Sequence, residues 1–148
     1  MKNLMFLAFI FICFSSHAQS NNPKQLVIDF FEAFHEQDTV KLKTFATDSL
    51  QLKSVSRNAE GKTTINTSAY SEFVKSIASI PKNVRFEEKI HEYRIEENGL
   101  LATVTTPYTF YYKGEKSHCG TNIFNLVKMD GIWKILFLMD SRSKQSCD

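Results

Sequence analysis

The sequence predicts an α+β domain built as a cone-shaped half-barrel, with a strongly bent antiparallel sheet wrapped around N-terminal helices. Three observations carry that expectation. Asn98-Gly99, Lys113-Gly114 and Asp130-Gly131 punctuate an apolar and alternating C-terminal third that runs to Arg142. Asn-Gly and Asp-Gly supply the positive φ angles that two-residue hairpin turns demand. Near the start, Leu26, Val27, Phe30, Phe31 and Phe34 recur at helical spacing and form a broad aromatic stripe. Strands of about ten residues joined so tightly twist into a deep trough that needs a filling, and the stripe supplies one.

Residues 1–18 stand apart from the domain. Lys2 gives a positive start, Leu4 to Phe14 is almost uninterrupted apolar sequence, and Ser16-His17-Ala18 ends in a small residue before Gln19. That is the charge, core and cleavage-site order of a secretory signal peptide. The apolar core is too short for a bilayer-spanning helix of roughly twenty residues. A lipid anchor on Cys13 is the rival reading, against which the bulky Ile10-Phe11-Ile12 argues. Residues 19–148 then form one domain, exported to the periplasm or cell exterior, with no membrane association after cleavage. With Lys2 removed, 17 basic side chains face 16 acidic ones, and no dense Lys/Arg cluster tracks a phosphate backbone. Nucleic acid is therefore not an expected partner.

The elements follow in order. Asn22-Pro23-Lys24-Gln25 starts the first helix: Asn22 caps, Pro23 suits the first position, and Gln25 reaches back as in a capping box. His35 falls near its end, where positive charge suits the dipole. Asp38 caps a shorter helix through Val40, Leu42 and Phe45. Leu50 to Val55 alternates as a strand and Thr63 to Asn66 pairs with it. Ser68 to Ile80 returns to helical spacing, and Pro81 stops it. Val84 to Glu96 reads as one long strand with a bulge near Ile90, its His91 facing water. The hairpin strands complete the chain.

This order, together with Phe30-Phe31-Glu32-Ala33-Phe34-His35-Glu36-Gln37-Asp38 and Gly131-Ile132-Trp133-Lys134-Ile135, resembles the nuclear transport factor 2-like superfamily. Ketosteroid isomerases, scytalone dehydratase and polyketide cyclases belong to that group. The resemblance spans residues 22–142. His118-Cys119-Gly120, followed by Phe124 and Leu126-Val127-Lys128, is most similar to secreted bacterial members without an established reaction. It implies a pocket between sheet and helices, and often a dimer through the sheet.

Counting across the Asp130-Gly131 turn without a bulge sorts side chains by face. Asn122, Phe124, Leu126, Trp133, Ile135, Phe137 and Met139 fall on the concave side. Thr121, Ile123, Asn125, Val127, Lys134, Leu136, Leu138 and Asp140 fall on the other, where Ile123, Val127, Leu136 and Leu138 suit either a homodimer contact or a covering tail. The candidate ligand site is therefore His118, Asn122, Phe124, Trp133 and Tyr108 with Phe30 and Phe34 from the first helix. His118 is the candidate acid-base residue because its charge changes near neutral pH, with Tyr108 and Tyr111 on the neighbouring strand. Asp140 falls on the opposite face from His118. The resemblance places an isomerase-type acid about where Lys53 stands, a departure that speaks against that chemistry. No histidine pair has metal-ligand spacing, and nothing in the pattern asks for a cofactor. Cys119 and Cys147 are either a disulfide or two free thiols: the same count sets residue 119 opposite 142, so a bridge requires the tail to fold back. The leading expectation is an exported pocket protein for a small apolar or aromatic molecule. The alternatives are a lyase- or isomerase-like enzyme and an interaction module with a filled barrel.

Overall fold

The computed structural model describes residues 21–145 and Cys147, so the segment expected to be a signal peptide, with Cys13, lies outside the described residues. Helix α1 (Pro23–Glu36) begins where Asn22 Oδ1 accepts from the backbone N–H of Lys24 and Gln25. Gln25 does not reach back, as the capping box predicts. Its amide donates forward to Asp29 at 2.8 Å, the neighbour one turn on. Gln37 adopts φ 55° and ends the helix, and Asp38 Oδ1 then caps α2 (Thr39–Phe45) through Val40 N and Lys41 N. The Gln37 side chain also donates to Ile77 O and Ile80 O, at 2.9 and 2.8 Å. It thereby closes the end of α3 (Tyr70–Ser79) and ties the three helices together.

Seven strands complete the fold: β1 (Ala46–Arg57), β2 (Thr63–Ala69), β3 (Phe86–Ile90), β4 (Arg94–Asn98), β5 (Leu101–Tyr112), β6 (Glu115–Met129) and β7 (Ile132–Ser143). The sheet order is β2-β1-β7-β6-β5-β3, with β4 also on β5. Two expectations need correction. The sheet is mixed, because β1 runs parallel to β7. The long strand from Val84 is two strands separated by residues 91–93, both antiparallel to β5, with His91 N–H still bonded to Pro107 O at 2.9 Å. Among the described residues no helix is long and apolar enough to cross a membrane.

A bulge in β7 decides which side chains face inward. Asn125 pairs with Phe137 but Leu126 pairs with Ile135, so Leu136 is left over. The concave face therefore runs Trp133, Ile135, Leu138 and Asp140, where unbroken alternation puts Phe137 and Met139 inside and Leu138 and Asp140 outside. The same extra residue sets Cys119 opposite Ser143 rather than Arg142. The tail does fold back: Cys119 and Cys147 are bonded, with Cα atoms 5.5 Å apart.

The concavity is filled by aromatic side chains from both layers. Phe30 packs edge-on to Phe31 and Phe124 and stacks with Phe73, which also stacks with Phe34. Trp133 and Phe124 are fully buried. Each such ring contributes roughly 1.5–3 kcal/mol by leaving water, which makes this layer the main source of cohesion between helices and sheet.

Candidate functional site

Toward one end of the cone the concave face stops being apolar. On β5 the inward run Ala102 and Val104 continues into Thr106 and Tyr108. On β6 the inward run Leu126 and Phe124 continues into Asn122, and all of these are buried. From β3, Glu88 pairs with Phe110 and shares the inward side with Phe86 and Ile90. Asn122 Nδ2 joins them, donating to Glu88 Oε1 at 2.7 Å and to Thr106 Oγ1 at 3.2 Å. On the other side of Asn122 lies Asp140, turned inward by the β7 bulge. It accepts from Ser54 Oγ (2.5 Å), Tyr108 OH (3.3 Å) and Arg142 Nε (2.5 Å).

Backbone geometry sets these positions. Tyr108 OH also donates to Ser141 O at 3.1 Å. A Cβ on Gly120 would lie 1.7 Å from that same oxygen, so only glycine lets β6 and β7 approach here. Glu88 is fixed from the far side by α1. His35 Nε2 accepts the Glu88 backbone N–H at 2.9 Å, while its ring packs beside Phe31, Phe34 and Phe86. An accepting Nε2 places the proton on Nδ1, so this histidine is neutral. Burial lowers its pKa, outweighing the opposing pull of Glu87. The expectation of a positive charge serving the helix dipole is thus overturned by desolvation.

The electrostatics of the cluster centre on Glu88. Burial, reinforced by the nearby Asp140 charge, raises its carboxyl to about 7, against the Asn122 hydrogen bond and the Arg142 charge, which act in the opposite direction. Tyr108 is pushed well above the ordinary phenol range by burial and by the same two carboxyls. For Arg142, burial works against the charge, but the hydrogen bond and charge of Asp140 prevail and the guanidinium is held more firmly protonated. His118 sits at the rim, its ring 5.0 Å from Phe110 and edge-to-face with Tyr108 at 5.8 Å. Its pKa is lowered by burial and by Arg142 and Lys144, with Asp140 opposing.

Asn122, Tyr108 and His118 thus come together. Asp140 is on their side of the sheet, contrary to the expectation of opposite faces, and the bulge is the reason. Phe124, Trp133, Phe30 and Phe34 are placed in the packed core. Tyr111 lies apart, in a groove beside α1 with His35, Lys82, Arg85 and Lys113. Lys53 points to the outer face, its Nζ 5.8 Å from the Phe137 ring centroid, while its neighbour Ser54 turns inward to Asp140. Glu88, Thr106, Ser54 and Arg142 are additions from the structure. Of these Glu88 carries a readable signal, an acid in the apolar phase of Phe86-x-Glu88-x-Ile90. Among the described residues no cluster of His, Cys, Asp and Glu is arranged to hold a metal.

No protein-family model matches the sequence, and no curated protein does. Solved structures do match. A protein of unknown function with a cystatin-like fold from Nostoc punctiforme aligns over 82% of this chain and 89% of its own at 12% identity, TM-score 0.62. A nuclear transport factor 2-like protein of unknown function from Shewanella baltica aligns over 82% and 91% at 13% identity, TM-score 0.57. The fold is nuclear transport factor 2-like. A protein from Novosphingobium aromaticivorans, provisionally described as a scytalone dehydratase, shares that fold over 81% of this chain and 80% of its own (15% identity, TM-score 0.63). At such identities the likeness extends to the fold alone. Within this cone the cluster's hydrogens are turned inward, with Asn122 Nδ2 on Glu88 and Thr106 and the Tyr108 hydroxyl on Asp140 and Ser141 O.

Proposed function

We propose that this chain is an exported binding protein that takes a small organic molecule at the polar end of its cone, with Glu88 and Asn122 recognising its polar group. The observation that carries this reading is the Glu88 carboxyl, withdrawn from water and bonded to a buried amide where an otherwise apolar concavity turns polar. Burying such groups is costly, and packing alone gives no return for it. The apolar part of the ligand would lie against Phe86, Phe110 and the His118 ring. In this reading Phe30, Phe34, Phe124 and Trp133 support the site from the core rather than line it.

The second reading, a lyase- or isomerase-like enzyme, draws on the same carboxyl. A group titrating near 7 beside a hydrogen-bonding tyrosine is suited to moving a proton, and His118 extends the set. The provisional description of the Novosphingobium protein points toward a dehydration. Binding remains the better-supported half, since it needs only the hydrogen-bonding geometry. A thermal-shift screen of metabolites against wild type and Glu88→Gln tests both. Hits that stabilise wild type and lose their effect in the variant support the site, and turnover of those hits would favour the enzyme. Equal shifts in both proteins would refute the role of Glu88. No hit at all would favour the third reading, an interaction module whose cone is filled.

Export and dimerisation belong to the same proposal. The exported protein is expected to have an intact mass that starts at or near Gln19. Intact Met1 or a lipid on Cys13 would refute that processing. A second copy would pack on the convex face over Ile123, Val127 and Leu136. Leu138, expected in that strip, is turned into the core by the bulge, and Phe137 and Met139 take its place on the outside.

A further inference from the structure

A second groove, of about 1120 Å³, opens at the rim of the cone between the β1–β2 hairpin and the C-terminal tail. Its lining is chemically one-sided. Arg57 stands on the hairpin, Arg142 and Lys144 on the end of β7 and beyond, and His118 on β6, with hydroxyls from Ser56, Thr63, Ser117, Ser141 and Ser143 between them. Among the described residues no acidic side chain lines it. Asp140, at the inner cluster, forms an ion pair with Arg142 through Nε and, at 3.5 Å, Nη2, which orients the guanidinium and meets part of its charge. The groove beside α1 offers a contrast, because there Glu87 lies among Lys82, Arg85 and Lys113.

The far wall is fixed in place rather than left to the tail's own preference. The Cys119–Cys147 bond returns the chain to β6, Lys116 Nζ donates to Cys147 O at 3.3 Å, and Gln145 N–H donates to Ser143 Oγ at 3.2 Å. These contacts hold Ser143–Gln145 beside His118, close enough for Lys144 to depress its pKa. The hairpin wall with Arg57 and the covalently tethered wall with Arg142 and Lys144, each with its hydroxyls, form a pre-organised surface for negative charge.

We propose that this rim groove binds a small molecule through an oxyanion, a carboxylate or phosphate, gripped by Arg57, Arg142 and Lys144. The site shares Arg142 with the inner cluster through Asp140 but does not depend on Glu88 recognising anything. A ligand long enough to pass His118 would engage both. The size of the groove suits a molecule larger than a single phosphate, with the oxyanion at one end.

Calorimetric titration with pyrophosphate and, separately, citrate tests this at a fixed ionic strength of about 0.1 M, where distant charges are screened. Saturable binding to one site is expected, stronger for the probe whose oxyanion chemistry the groove prefers. Replacing Arg57 and Lys144 together by Gln should weaken it at least about tenfold, as expected for losing charge-assisted hydrogen bonds. Lys82→Gln, in the groove beside α1, should leave it unchanged. Cys147→Ser should weaken binding several-fold while the far-ultraviolet spectrum stays that of the folded protein. Equal affinity in wild type and the Arg57/Lys144 variant, or no saturable binding of either probe at millimolar concentration, would overturn the proposal. Loss of binding in Glu88→Gln with retention in the Arg57/Lys144 variant would relocate the anion to the inner cluster and equally overturn it.

Discussion

Glu88 titrates near neutral pH because it is buried on β3, in line with Phe86 and Ile90 and opposite Phe110, and a neighbouring carboxyl adds repulsion. That preference has a thermodynamic consequence. The folded carboxyl titrates at about 7 and an unperturbed glutamate at 4.5, so between those values the native chain holds a proton that the unfolded chain has released. Stability from this group therefore falls as pH rises through the window, and the full cost stands above 7. The shift is worth roughly 3 kcal/mol at most, less where water reaches the carboxyl. Glu88→Gln keeps an oxygen for Asn122 and removes the titration. Urea unfolding should show the variant gaining on wild type by roughly 2–3 kcal/mol between pH 4.5 and pH 7.5. A gap that does not change with pH would contradict the burial of this carboxyl. His35 and His118 act with the opposite sign: their lowered pKa values withdraw stability as pH drops below the ordinary histidine value of 6.5. Both proteins carry them, so the difference isolates Glu88. At this scale the sequence was half legible. Asn122, Tyr108 and His118 share an inward parity that can be counted, whereas Asp140 depended on one unpaired residue four positions earlier.

Gln37 shows how elements are fastened. Its φ of 55° favours glycine, and Gln37→Gly would relieve about 1 kcal/mol of backbone cost. The same change removes both side-chain hydrogen bonds to Ile77 O and Ile80 O in a partly buried place. Those are worth about 1 kcal/mol each, and more if the carbonyls stay dry. The bonds should win: the glycine variant is expected to be about 1 kcal/mol less stable by urea denaturation, and a stabilised variant would show that the clasp contributes little. The helices were readable because Asn22, Asp38 and Pro81 mark their limits and the apolar stripes have one period. The hairpins were readable because Gly99, Gly114 and Gly131 take the positive φ their turns require. The β7 bulge was not, since Leu136-Phe137-Leu138-Met139 is apolar throughout and alternation leaves no mark in such a run. Nor does any local pattern reveal that β1 adds to β7 in parallel, because partner choice is settled by the whole sheet.

For the molecule as a whole, the two faces of the sheet have different fates. The concave face is closed by helices, while the convex face shows Leu136 at 42% exposure beside Ile123, Val127 and Phe137. If a second copy covers this strip, wild type should be a dimer by light scattering at tens of micromolar and Leu136→Asp a folded monomer, since a buried unpaired charge opposes association. A monomeric wild type would remove the interface. The resemblance read from the sequence reaches its limit at the same scale: element order conveys a cone, but what the cone holds depends on a few side chains at its mouth. The most direct test of that mouth is a side-chain amide and imidazole NMR map of the best ligand from the metabolite screen. Saturable shifts concentrated on the Asn122 amide and the His118 ring, lost in Glu88→Gln, are the predicted result. Shifts confined to the convex face, or to the groove of Lys82 and Lys113, would contradict a ligand site at the polar end of the cone.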